Sequence, residues 1–108
     1  HVGERAMGAG RTPEALAAFE KARAVLGASF AHDLELGVLY LAARRFEDAR
    51  AALDRVPASH PGYAMALFKR AQVSVLLGEP DRDARIRRAR ERADATTRDL
   101  IAREKLFR

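Results

Sequence analysis

A chain of 108 residues, 48% hydrophobic and 32% charged, is long enough for one small domain and too apolar for wholesale disorder. It holds no cysteine, which excludes a disulfide frame and a thiolate metal site, and only 6% of it is aromatic. The formal charge of +5 sits in the last quarter: residues 1–81 balance ten basic against ten acidic side chains, and residues 82–108 set ten basic against five acidic.

No apolar run approaches the roughly 18 residues needed to cross a bilayer. His1-Val2-Gly3-Glu4 lacks the basic and apolar regions of a signal peptide. Without an initiator methionine the sequence reads as a piece of a longer protein, and it indicates no compartment beyond a slight preference for the cytoplasm. Runs of Val, Ile and Thr are missing, which argues against a sheet.

In chain order, residues 1–9 read as the remainder of a helix. Gly10-Arg11-Thr12-Pro13 turns the chain, with Thr12 as N-cap and Pro13 at the first helical position. Residues 14–26 then form a helix with Ala15, Phe19 and Ala22 on one face, closed by Gly27. The next helix is predicted over residues 30–43, with Leu36, Gly37 and Tyr40 turned toward its partner. Arg44 and Arg45 make the turn, and the partner helix runs from Phe46 to about Val56. Pro57 and Pro61 bracket a short linker through which neither helix can continue.

Residues 62–77 form a further helix. Gly78-Glu79-Pro80-Asp81 is a turn, with Asp81 as the cap of the basic helix beyond it. That basic stretch either breaks near residues 95–97, before a last helix carrying Leu100, Ile101 and Phe107, or runs on as one long helix; the break is preferred.

A shift of 34 residues brings the chain onto itself. Gly3, Gly37 and Ala71 fall in register, as do Ala6, Tyr40 and Ser74, and Gly10, Arg44 and Gly78 meet at the turn. Ala15 matches Ala49, Phe19 matches Leu53, and Ala22 matches Val56. Gly or Ala at the first site lets two helices approach, and a larger residue on the second helix fills the gap between pairs. The central stretch, Leu36-Gly37-x2-Tyr40 followed by Ala49-x3-Leu53 and Pro61, resembles the tetratricopeptide repeat, a helix-turn-helix of 34 residues.

That resemblance implies an all-α superhelix of antiparallel helix hairpins, a right-handed solenoid of about two and a half repeats with a C-terminal capping helix. The whole chain is one domain: a truncated first repeat over 1–29, a central repeat over 30–63, a degenerate third over 64–95 and the cap over 96–108. The third departs from the pattern because the shift sets Asp83 and Arg87 where Ala49 and Leu53 stand; moving the register brings Ala84 or Ile86 inside instead.

In the family the first helix of each pair lines a concave groove that holds a peptide or partner helix. Carried over residue by residue, the groove would be lined by Leu34, Glu35, Val38 and Leu41 from the central repeat. The third repeat adds Met65, Phe68, Lys69, Gln72 and Val75. Val38 and Gln72 stand where a carboxylate clamp would need asparagine, and Leu34 and Phe68 where it would need lysine. A hydrophobic segment anchored at Met65 and Phe68 is therefore expected. The same side chains would be hidden if the chain's own C-terminal helix folded onto them, and an exposed first repeat could instead meet a second copy in a homo-oligomer.

Chemistry finds little support in the sequence. His1, His32 and His60 show no metal-ligand spacing. Ser29, Ser59 and Ser74 lack a catalytic neighbourhood, Ser74 being expected in the core. Gly8-Ala9-Gly10-Arg11 lacks the ending of a phosphate loop, and no cofactor motif is present. An enzyme is not expected. Arg82, Arg85, Arg88 and Arg92 form a stripe able to meet an anionic partner, an acidic protein or nucleic acid. Asp83–Arg87, Arg87–Glu91 and Arg90–Asp94 are expected to pair beside it. Without aromatic residues for base stacking, nucleic acid is disfavoured.

Overall fold

The computed structural model describes residues 12–108, and the helix expected over residues 1–9 lies outside them. The described residues form six α-helices: α1 (Thr12–Leu26), α2 (Asp33–Ala42), α3 (Phe46–Asp54), α4 (Tyr63–Leu77), α5 (Arg82–Glu91) and α6 (Ala95–Arg103). Short 3-10 turns follow α1 at Gly27–Ser29 and α6 at Lys105–Phe107. No strand occurs among these residues.

Each helix packs on the next from α1 through α5, and α4 also touches α2 and α6. The first helices of successive pairs therefore lie side by side. Close approach within the central pair depends on Gly37, where an added Cβ would lie 2.6 Å from Leu53 Cδ2. The small-residue match was thus readable from the 34-residue register, and Ala71 and Ala49 are likewise fully buried.

The turns repeat more faithfully than the helices. After α2, Arg44 N–H donates to Leu41 O at 3.0 Å and Arg45 N–H to Tyr40 O at 2.9 Å. After α4, Gly78 N–H donates to Val75 O at 3.1 Å and Glu79 N–H to Ser74 O at 2.9 Å. Both are Schellman closures with a left-handed residue at the same point, φ 62° at Arg44 and 68° at Gly78.

Several boundaries differ from the sequence-based expectation. Thr12 and Pro13 both lie within α1. Phe30, expected inside a helix, instead precedes α2 in extended backbone and is buried edge-on to Phe19, with ring centroids 6.3 Å apart. Asp81 does precede α5, yet its carboxylate accepts from Arg85 Nε at 2.9 Å rather than from the helix backbone.

The helix α5 starts two residues later than the 34-residue shift from Phe46 would place it, because the turn runs on through Pro80 and Asp81. Ile86 and Ala89 face the core, 37 residues after Ala49 and Ala52, while Ala84 is exposed. The chain then breaks between α5 and α6. Asp94 caps α6 by accepting from Thr97 N–H at 2.8 Å, and the Thr97 hydroxyl accepts from Asp94 N–H at 2.9 Å. Such a reciprocal cap terminates one helix and starts another, so the long single helix does not form. These Thr97 hydrogen bonds also hold the Asp94 carboxyl below the usual range.

Candidate partner-binding face

Of the residues expected to line the groove, those on α2 remain the more accessible. Val38 and Leu41 are half-buried, and Leu41 rests on the core shared by the first two pairs. Glu35 is exposed and paired with His32 at 3.0 Å. Against partial burial, which would raise it, the hydrogen bond from His32 holds the Glu35 carboxyl below its ordinary value. Leu34 turns away to the linker: a Cβ on Gly62 would lie 2.5 Å from its Cδ2. There it helps to line a cavity of about 700 Å³ with Phe30, Val56, Pro57 and His60.

On α4 the picture changes. Phe68, expected as an open anchor, is 4% exposed, because Phe107 from the final turn meets it edge-on at 5.8 Å between ring centroids. Met65 and Val75 pack on the same cluster, which includes Ile86, Ala89 and Ile101. Gln72 Nε2 donates to the Glu104 carboxylate, while Gln72 Oε1 is buried without a partner. Lys69 holds its ammonium 5.4 Å from the centre of the Phe68 ring. The α4 half of the face is therefore occupied by the chain's own C-terminal segment. The 34-residue pattern carries no information on that, since the segment leaves the repeat register to reach Phe68.

The arginine stripe is also revised. Arg85 is held by Asp81 and lies 3.9 Å from Asp54. Arg88 donates to the Tyr63 hydroxyl at 3.2 Å, and the Arg92 guanidinium stands 5.5 Å from the Tyr63 ring centre. Arg82 approaches Asp83 at 3.9 Å. The carboxylates that α5 arginines meet are therefore Asp81, Asp54 and Asp83, in place of the expected Asp83–Arg87, Arg87–Glu91 and Arg90–Asp94 pairs, and Asp94 is committed to capping α6. A basic lining does occur elsewhere, where Arg90, Arg98 and Arg108 border a cavity of about 350 Å³ floored by Ala93, Ile101 and Ala102.

One polar centre had no counterpart among the sequence-based expectations. Arg70, with a side chain only 5% exposed, lies at the junction of α3 and α4. Its Nε donates to Asp54 at 2.8 Å, and its Nη1 donates to Ser74 Oγ at 2.6 Å and Glu79 Oε1 at 2.8 Å. Ser74 Oγ and Arg50 each donate to Glu79 at 2.8 Å. Burial would raise the Glu79 carboxyl, but the hydrogen bonds from Arg70, Arg50 and Ser74 outweigh it and bring it down to about 2. Every member faces another member, so the network ties repeats together around the buried Arg70, with Asp54 and Arg50 at its solvent edge. Ser74 is buried as its register with Tyr40 suggested.

Stacked helix hairpins repeating at 34 residues define an α-helical repeat scaffold. A sequence model of the tetratricopeptide repeat family matches residues 6–73, and the chain belongs to that family. Its repeats are in general protein–protein interaction modules and typically non-catalytic scaffolds. No curated protein and no solved structure matches the chain. Among the described residues no helix is long and apolar enough to cross a membrane, and no group of three His, Asp or Glu could hold a metal ion.

Proposed function

We propose that this chain is a docking module that holds an apolar segment of a partner protein along the concave face shared by α2 and α4, binding without chemistry. The observation that carries this reading is the present occupant of α4. An aromatic side chain seated on Phe68 and a carboxylate met by Gln72 are the contacts an extended or turn-forming peptide would make there. Beside it Val38 and Leu41 keep part of their surface open, and Leu76 on α4 is 41% exposed. The pairing of Arg85 with Asp81 gives the anionic-partner alternative less support.

Selection of displayed peptides against the full chain tests this. Enriched sequences are expected to be apolar, and the best of them to lose at least about tenfold in affinity on the Val38→Asp, Leu41→Asp double variant, with helicity checked by circular dichroism. Arg87→Glu, on the far helix α5, should leave binding unchanged. Equal binding to the double variant would refute the assignment.

A further inference from the structure

α6 already meets α4 through Ile101, and beyond Arg103 the chain leaves helical geometry and meets α4 again. A continued helix would carry Glu104 onward along the axis of α6. Instead Glu104 adopts extended backbone at φ −77° and ψ 114°, and a single 3-10 turn swings Phe107 inward. The turn is held by its own chemistry, since the Glu104 carboxylate accepts from Leu106 N–H at 3.4 Å as well as from Gln72. Lys105 and Leu106 point outward and are exposed, leaving Glu104 and Phe107 as the two residues that engage α4.

This occupant satisfies only half of Gln72. The side-chain amide donates to Glu104, but its Oε1 is buried with no donor to meet it. A buried acceptor without a partner weakens the hold of whatever covers it. A ligand that reproduced the carboxylate and the aromatic ring and also offered a backbone N–H would complete the site.

Resting on the docking role proposed above, we infer that the Glu104–Phe107 turn is an intramolecular ligand of the α4 face. The partner it stands in for is a peptide segment with an acidic residue three positions before an aromatic one. The turn and the partner compete for Phe68 and Gln72. A tethered occupant acts at the high effective concentration its short linker imposes, so the free chain is held in a partly closed state.

The probe is a fluorescent synthetic peptide of residues 102–108, Ala-Arg-Glu-Lys-Leu-Phe-Arg, titrated into the full chain and followed by anisotropy. Binding to the Phe107→Ala chain is expected to be at least about tenfold tighter than to the unmodified chain. It should be lost when the peptide carries Glu104→Gln or Phe107→Ala. If removing Phe107 unfolds the chain, Leu106→Gly loosens the same turn through backbone entropy without removing a buried group, and a smaller gain in the same direction is expected. Equal affinity for all three chains overturns the inference, as does indifference to the peptide's Glu or Phe. Display-selected peptides that bind through Val38 and Leu41, with this peptide ignored by every variant, overturn the inference and leave the docking role standing. Failure of both kinds of peptide overturns both.

Discussion

Where α1 meets α2, Tyr40 donates to Glu20 at 2.6 Å, the Arg45 guanidinium lies 4.7 Å from its ring centre, and Leu36 is sealed beneath them. Thirty-four residues on, where α3 meets α4, the equivalent positions hold Asp54 for Glu20, Arg70 for Leu36, Ser74 for Tyr40 and Glu79 for Arg45. The backbone closures at the two turns are the same. An aromatic-capped apolar junction and a buried ionic one thus occupy one frame. The exchange works because the changes compensate: shrinking Tyr to Ser makes room for a guanidinium, and inverting the turn residue from Arg to Glu supplies its counter-charge.

The comparison can be broken most severely at Arg70. Replacing it with Met should cost about 3 kcal/mol or more in urea unfolding, because Glu79 loses its buried partner. Leu36→Met at the matching place should cost about 1 kcal/mol, as a change that conserves volume. Equal effects would show the two junctions to be less different than their chemistry suggests.

Next in size is Glu79→Gln, expected to cost about 2 kcal/mol at neutral pH through the loss of charged hydrogen bonds. Its pH dependence has a definite sign. Because the folded carboxyl is lowered from 4.5 to about 2, its stabilisation is complete above pH 4.5 and is lost as pH falls toward 2. Stability curves of the parent and the Glu79→Gln variant should therefore converge across that acid window.

The apolar junction responds at the other end of the scale. Burial, together with the hydrogen bond to Glu20 and its charge, pushes the Tyr40 hydroxyl up to about 12. Its stabilisation is present below pH 10 and disappears as pH rises to about 12. Ultraviolet titration in a Tyr63→Phe background, where Tyr40 is the remaining tyrosine, should show that raised midpoint. Tyr40→Phe should cost about 1 kcal/mol near neutrality.

The smallest effect lies in the turns and has the opposite sign. Arg44 holds φ 62°, a conformation that strains a side chain and that Gly78 adopts freely. Arg44→Gly should raise stability by about 1 kcal/mol, and Gly78→Ala should lower it by about as much, both read from thermal unfolding.

The sequence made the repeat frame legible because packing at Gly37, Ala49, Ala71 and the two turns depends on residue size at fixed spacing. It did not reveal Arg70, since an arginine in place of a leucine reads as surface unless the matching changes at Ser74 and Glu79 are considered together. Of the residues expected to line a groove, Val38 and Leu41 stay half-buried on α2, whereas Phe68 and Gln72 are covered by a segment that abandons the register after Arg103. The free charge of α5 was overestimated at Arg85, which Asp81 and Asp54 meet, while Arg88 and Arg92 rest on Tyr63 with their charge intact.

One helix joins both halves of the interior. Ala66 and Val73 of α4 belong to the cluster built with α2 and α3, while Phe68 and Ala71 belong to the cluster built with α5, α6 and Phe107. Hydrogen exchange should accordingly be slowest along α4, the shared spine whose opening exposes two cores at once. Any restraint on that helix would stiffen both halves together, which makes α4 a mechanical splice between them.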